Sequence, residues 1–353
     1  MLATYPGRPL DTDASSTPEP PALDIVGMSV AFAQGGTRFL AVENVSLRVE
    51  RGRTLALVGE SGCGKSVTSL AVMGLLPRPS ASVATGEILF RRRDGSVRDV
   101  ATLDAGTMRH LRGDEMAMIF QEPMTSLNPL QTVGDQVVEA LRLHRSVSRR
   151  QAREQVAAMF ARVGIPEPRE RLGIYPHEMS GGMRQRVMIA MALICSPTLL
   201  IADEPTTALD VTIQAQILEE MRELQQSLGM AMLFITHDLG VVAEIADRVA
   251  VMYAGEIVEE ASVEDLLIAP LHPYTRGLMA SLPRADEDGA QRLNAIPGIV
   301  PDPRSRPAAC RFHPRCGFAE PGRCDAVHPP LETVGNRTVR CLRWRELPEA
   351  SHA

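Results

Sequence analysis

Eight residues, Gly59-Glu60-Ser61-Gly62-Cys63-Gly64-Lys65-Ser66, fit the pattern G-x-x-x-x-G-K-[ST] and directly follow the apolar run Leu55-Ala56-Leu57-Val58, which reads as a buried strand. A strand, a glycine-rich loop and a helix beginning near Gly64 make a cradle for phosphates. The glycines let backbone N–H groups turn inward, and the positive end of the helix dipole faces the anion. In such a loop Lys65 reaches the β- and γ-phosphates of a nucleoside triphosphate, and the Ser66 hydroxyl ligates magnesium. Farther along, Leu199-Leu200-Ile201-Ala202-Asp203-Glu204 reads as a buried strand ending in two carboxylates, at the position where ligands bind in open α/β sheets. Asp203 is expected to hold magnesium, directly or through water, and Glu204 to act as the general base on an attacking water. Ser180-Gly181-Gly182 opens a long apolar helix and makes a second anion site.

These groups need a frame. The sequence has 353 residues, 44% hydrophobic and 23% charged, which suits one large globular domain and a smaller one. Its longest unbroken apolar stretch, Val187 to Cys195, falls far short of the roughly 18 residues that span a bilayer. The N-terminus lacks the charged-then-apolar layout of a signal peptide, so the expectation is a protein that stays in the cytoplasm. A net charge of -6 gives no overall attraction for nucleic acid. Residues 1–21, with five prolines among small polar residues, are expected to form a disordered tail. Two β-rich segments, Leu23 to Phe32 and Leu40 to Val49, flank Gln34-Gly35-Gly36-Thr37, as in a hairpin or small antiparallel sheet. Between Val133 and Gly164 the pattern turns helical, with Ser148 and Gln151 spaced as a capping box, which predicts a helical insertion. Leu199 to Ala202, Met232 to Thr236 and Val249 to Tyr253 alternate with helical segments, the rhythm of a parallel sheet covered on both faces. Past about Asp265 the chain turns rich in Pro and Arg, and a second small module is expected.

In this order the segments resemble the ATPase subunit of an ATP-binding-cassette (ABC) transporter over about residues 22–265. The resemblance implies an ABC-type P-loop α/β fold: a parallel-sheet core, an N-terminal antiparallel β subdomain and a helical subdomain at about 122–178. It also implies residue roles. In that family the signature segment of one subunit closes over the ATP held by the phosphate loop of another, so Ser180, Gly181 and Gly182 are expected on a partner's γ-phosphate. Met179 and Met183 stand where the family often has Leu and Gln, departures that spare the Ser-Gly-Gly contacts. Gln121, after the strand-like Met116 to Phe120, matches the glutamine that senses magnesium and the coupling interface. His237, after Phe234-Ile235-Thr236, matches the switch histidine on the γ-phosphate. Thr207-Ala208-Leu209-Asp210 matches the loop linking the two composite sites, which places Asp210 among the nucleotide-site residues. The family's adenine-stacking aromatic aligns with Gln34, and Phe32, two residues earlier on the same face, is the candidate in its place.

Three further segments narrow the resemblance: Gln121 to Pro129, Tyr175-Pro176-His177-Glu178, and His272-Pro273-Tyr274-Thr275 with Gly277-Leu278. They resemble the dipeptide and oligopeptide importer ATPases, a group that also includes nickel and glutathione importers. From Ile296-Pro297-Gly298 onward the tail resembles that group's C-terminal extension, expected over 266–353. Within it Cys310, Cys316, Cys324 and Cys341 are spaced C-x5-C-x7-C-x16-C, without the close C-x2-C pairs of many zinc modules. In a reducing compartment such clustering points to metal ligation over disulfides. Four thiolates satisfy either tetrahedral zinc or a 4Fe-4S cluster. The resemblance favours the cluster, with zinc as the alternative. Between Asp302 and Arg345 nine arginines face four acidic residues, an excess that suits an anionic thiolate centre and equally a membrane surface or RNA. Phe312 and His313 are expected to pack around the thiolate centre, with His313 also a candidate ligand, whereas Cys63 and Cys195 read as small buried residues with no redox role.

The resemblance implies an ATPase (ATP and Mg2+ as substrate and cofactor) that drives peptide import through two separate permease subunits, at the cytoplasmic face of the inner membrane. It further implies a second cassette subunit, more often a different chain than a copy, and an extracytoplasmic peptide-binding protein. Nickel, glutathione or another small solute is the alternative cargo. A cassette acting on DNA or ribosomes carries a long coiled coil, zinc insertions or tandem cassettes, and the stretch from Gln121 to Ser180 leaves room only for a small helical insertion. No nucleic-acid partner is expected. Intact Lys65, Asp203, Glu204 and His237 count against a cassette that binds ATP without hydrolysing it.

Overall fold

The computed structural model describes residues 20–121, 127–207, 209–281 and 296–348. Most of the expected N-terminal tail, the segment Glu122-Pro123-Met124-Thr125-Ser126 and Ala208 lie outside the described residues. Two sheets form the frame. The first is antiparallel, in the order β2 (Thr37–Val49), β1 (Leu23–Gln34), β4 (Ala81–Arg91) and β5 (Val97–Asp99). Its first hairpin turns at Gly35-Gly36, which take φ of 59° and 79°, the left-handed region that glycine enters without a Cβ clash. That two-residue turn sets the register: Gln34 pairs with Thr37 and Phe32 with Phe39.

The second sheet runs β11 (Glu332–Val334), β12 (Arg337–Val339), β10 (Glu256–Ser262), β9 (Arg248–Tyr253), β3 (Thr54–Val58), β8 (Ala231–Thr236), β7 (Leu199–Asp203) and β6 (Met116–Ile119). From β9 to β6 every neighbouring pair is parallel. β3, β7 and β8 are buried at every position, as unbroken apolar strands covered on both faces must be. At the other edge β10, β12 and β11 pair antiparallel. The Arg-rich tail therefore adds its own two strands to the main sheet.

Helices fill the crossovers that parallel pairing demands. The helix Lys65–Val72 follows β3, Val211–Leu228 joins β7 to β8, and Leu239–Ile245 joins β8 to β9. The long connection from β6 to β7 holds the helices Val133–His144, Arg149–Arg162 and Gly181–Leu193. The expected capping box is formed: the Gln151 backbone N–H donates to Ser148 Oγ at 3.3 Å, and the Ser148 N–H donates to Gln151 Oε1 at 3.1 Å. Val137, Phe160 and Leu193 bury this insertion against the core, where truncating a ring such as Phe160 to Ala costs about 3–5 kcal/mol. A second apolar cluster fills the space between the two sheets. A third joins Val58, Val251 and Tyr253 of the main sheet to Tyr274 and Phe312 of the tail. Among the described residues no helix is long and apolar enough to cross a membrane.

Candidate functional site

The site lies at the C-terminal ends of β3, β6, β7 and β8, where four loops converge on one edge of the parallel sheet. β3 ends at Val58 and the chain turns at once into Gly59, where an added Cβ would run into the Met252 backbone and lie 2.8 Å from Cys63 Sγ. Gly64, at φ 116°, caps the helix Lys65–Val72. Lys65 is buried, and its Nζ donates to the carbonyls of Gly59 at 2.6 Å and Glu60 at 3.2 Å, so the ammonium lies folded across the mouth of the loop. Cys63 packs beneath, with burial pushing its thiol pKa up. Cys195 is likewise buried with a raised pKa. Both are buried, as expected of them.

The two carboxylates at the end of β7 diverge. Asp203 is buried and accepts from Ser66 Oγ at 3.3 Å and Ser69 Oγ at 3.2 Å. Burial pushes its carboxyl pKa up, against the pull of those two hydroxyls. Glu204 takes φ 49°, a conformation rare outside glycine and met mainly at functional turns. Its carboxylate accepts from Gln121 Nε2 at 3.0 Å and Thr207 Oγ1 at 3.1 Å, and lies 3.2 Å from His237 Nδ1. Gln121, Glu204 and His237, read from three distant segments of sequence, thus meet in one polar cluster. Thr207 completes it, a contact the sequence reading did not single out within its matched loop.

A cavity of about 310 Å³ opens in front of the loop between Phe32, Phe39, Lys65, Ser66 and Pro303. Phe32 and Phe39 stack with centroids 6.0 Å apart and planes 15° from parallel. Phe39 was missed, although counting outward from the two-glycine turn places it opposite Phe32. Gln34, the aligned position, sits at the hairpin tip and does not line the cavity. An adjoining space of about 750 Å³ lies between Glu60, Glu204, His237 and the tail residues Gly298, Ile299 and Val300. Neither space is lined by Ser180, Gly181, Gly182 or Asp210. Ser180 caps the helix Gly181–Leu193, its Oγ accepting from the Met183 N–H at 3.3 Å, and Asp210 caps Val211–Leu228. A separate hollow of about 840 Å³ lies between Arg53, Asp247 and Ile268, away from the phosphate loop; Arg53 is paired there with Asp247, and Glu50, Ser262 and Glu264 also line it.

Cys310, Cys316, Cys324 and Cys341 line one enclosed cavity of about 20 Å³ with Phe312 and His313. None is in a disulfide. Burial pushes the Cys310 and Cys341 thiols up to about 11 and also raises Cys316. His313 Nδ1 is engaged with the Cys310 carbonyl at 2.8 Å. The donor set is that of a thiophilic metal. Among the described residues no three His, Cys, Asp or Glu side chains stand in ligating geometry. The spacing foretold the gathering of four thiols, and not a formed metal centre.

Comparison with known proteins gives concordant matches. The ABC transporter family profile matches residues 42–207, and the profile for the oligopeptide/dipeptide transporter C-terminal region matches 258–324. A Brucella ovis peptide import ATP-binding protein is 54% identical over 93% of this chain and 98% of its own length. A Bacillus subtilis dipeptide transport ATP-binding protein is 51% identical over 94% of this chain and 96% of its own. A glutathione import ATP-binding protein of Pectobacterium atrosepticum is 56% identical over 80% of this chain, but only 45% of that longer protein is covered. Among solved structures, a dimeric ATP-binding cassette in a post-hydrolysis state with ADP and Pi superposes with a TM-score of 0.59 at 26% identity, covering 68% of this chain and 98% of that one.

Proposed function

Because the chain belongs to the ABC transporter family, in the branch with the oligopeptide/dipeptide C-terminal region, we propose that it is the ATP-hydrolysing subunit of a peptide importer. One observation carries the reading. A phosphate loop, a buried Asp203 and the Gln121–Glu204–His237 cluster share one sheet edge, roofed by a tail of the peptide-transporter type.

The phosphates of ATP lie along the N–H groups of Gly59 to Ser66, with Ser61, Gly62, Cys63 and Gly64 forming the cradle. Lys65 exchanges the Gly59 and Glu60 carbonyls for β- and γ-phosphate oxygens. Adenine lies against Phe32 and Phe39. Ser66, Asp203 and Gln121 would hold magnesium, which when bound neutralises charge on the β- and γ-oxygens. Glu204 takes the proton of the attacking water, with Gln121, Thr207 and His237 fixing its carboxylate and His237 reaching the γ-phosphate. Ser180, Gly181 and Gly182 act in trans on the ATP of a second cassette, and Asp210 lies in the loop linking the two sites. A different partner chain is the favoured reading.

In this reading residues 22–265 are the cassette and 266–353 the extension. Two permease subunits dock on the helical subdomain at the cytoplasmic face of the inner membrane, and closure of the cassettes passes to them through the Gln121 segment. An extracytoplasmic peptide-binding protein presents the cargo. In this reading the four tail thiols hold a metal centre, a 4Fe-4S cluster by resemblance, with a single zinc ion as the alternative. Anaerobic purification followed by metal analysis separates the two: brown protein with about four irons per chain, or colourless protein with about one zinc. Protein with neither metal removes the centre. The function itself is tested by uptake of a labelled dipeptide and a longer labelled peptide in host cells carrying the native chain or Lys65→Ala. Loss of uptake in the variant is expected, and unchanged uptake of both overturns peptide as the cargo.

A further inference from the structure

The second residue of the phosphate loop is held from two sides by the tail. The Glu60 carboxylate accepts from both terminal nitrogens of Arg315, at 2.7 and 2.9 Å, and the Glu60 backbone N–H donates to the Tyr274 hydroxyl at 2.8 Å. The Glu60 carbonyl accepts from Lys65 Nζ. Arg315 is itself fixed in place. Its side chain is 5% exposed, it donates to the carbonyls of Pro297 at 2.8 Å and Ile296 at 3.3 Å, and it lies 5.7 Å from the centre of the Tyr253 ring. Tyr253, Tyr274 and Phe312 pack behind it with centroids 4.7, 5.2 and 5.4 Å apart. A bidentate guanidinium–carboxylate pair fixes direction as well as distance. Yet the loop motif places no demand on position 60, since phosphates are bound by backbone N–H groups, Lys65 and Ser66.

We infer that Arg315 is a positioning residue for nucleotide binding: by clamping Glu60 it fixes the loop backbone that aims Lys65 and the phosphate-binding N–H groups. The inference rests on the reading of Gly59 to Ser66 as the nucleotide loop. Arg315 ends the single turn His313–Arg315, directly before Cys316, and the same turn follows Cys310. Its N–H bonds run Arg315 to Phe312, Cys316 to His313 and His313 to Cys310, so the clamp and two of the thiols share one short rigid segment.

The test is equilibrium binding of a fluorescent ATP analogue to the full chain, with melting temperature measured alongside. Arg315→Met and Glu60→Gln should each raise Kd about tenfold, because each breaks the same charged bidentate pair. The double variant should bind no more weakly than the weaker single one, since both remove one interaction. Arg315→Lys, which keeps the charge and loses the fork, should fall between native and Arg315→Met. A purely structural role would lower the melting temperature and leave Kd of the folded protein unchanged. That result, or losses that multiply in the double variant, overturns the inference. Glu60→Gln keeps the size of a partly exposed side chain and answers the question even where Arg315→Met fails to fold. Native chain that binds no nucleotide would instead sink the reading of the loop, an outcome distinct from tight native binding with indifferent variants.

Discussion

Replacing Glu204 with Gln separates the chemical from the structural work of the site. The carboxylate accepts from Gln121 and Thr207 and lies 3.2 Å from His237 Nδ1. An amide of the same shape keeps one acceptor oxygen and offers an NH2 group. On one side that group meets the Gln121 and Thr207 donors, on the other His237 Nδ1. Turned toward His237 it can donate to the ring, and toward Thr207 the hydroxyl can reverse its role. The variant therefore loses about one hydrogen bond, near 1 kcal/mol, too little to unfold a domain of this size. The backbone at φ 49° is no worse for Gln than for Glu. The chemical loss is larger: a positioned general base contributes about 10²–10⁴ in rate, or roughly 3–5 kcal/mol. Steady-state ATPase assays with the assembled partner subunits should show kcat falling by that factor. Nucleotide Kd should stay within about threefold of native, because binding rests on Lys65, Ser66 and the loop N–H groups. The variant should also accumulate as an ATP-bound pair of cassettes on size exclusion. Native-like kcat would remove Glu204 as the base. A parallel loss of Kd would show that it positions the nucleotide instead.

Two further outcomes are expected. Phe39→Ala should weaken ATP binding about 5- to 150-fold, since stacking of a base on an aromatic ring is worth about 1–3 kcal/mol, while Gln34→Ala should leave fluorescence-titrated affinity unchanged. The reverse pattern would return the adenine to the aligned position. In metal-free protein the buried thiols Cys310 and Cys341, with pKa near 11, are about one-thousandth thiolate at pH 8, so alkylation followed by mass spectrometry should be slow there and rise about tenfold per pH unit. The linkage has the same sign: burial of the neutral thiols stabilises the tail fully below the unfolded thiol pKa of about 8.5, and that stability drains away as pH climbs toward 11. Fast alkylation at pH 8 would place the thiols in water.

The parts of the site legible in the sequence are those whose chemistry is local. The glycines, Lys65 and Ser66 announce a phosphate cradle because a backbone that must turn and cap a helix within eight residues admits few residue types. The apolar strands β3, β7 and β8 were readable for the same reason: burial on both faces leaves only one kind of residue. His237 and Gln121 became legible only through their place in a series. Phe39 was available from turn geometry alone, since the two-glycine loop fixes the pairing of Gln34 with Thr37 and hence of Phe32 with Phe39. The strands β11 and β12 were not, because each is three residues long and too short to show alternation. The Arg315–Glu60 pair joins residues 255 positions apart, a separation that no local period reports. Cysteine spacing announced that four thiols gather and left their geometry to the fold.

Adjacent carboxylates at the end of one strand cannot share a task unless the backbone intervenes, because successive side chains point to opposite faces. Asp203 is the last residue of β7, and its side chain points back toward Ser66 and Ser69. The left-handed turn at Glu204 then swings the next side chain toward β6 and β8, where Gln121 and His237 receive it. The two environments differ accordingly. Burial raises the pKa of Asp203, while the Ser66 and Ser69 hydroxyls and the charge of Lys65 pull the other way. A group so placed is suited to hold a cation and poorly suited to carry protons in and out. Glu204 faces the open cavity beside Thr207 and His237, where water has access. In the proposed reading this one strained residue divides cation binding from proton transfer, which is why the acidic pair sits at the strand end, where a turn can follow.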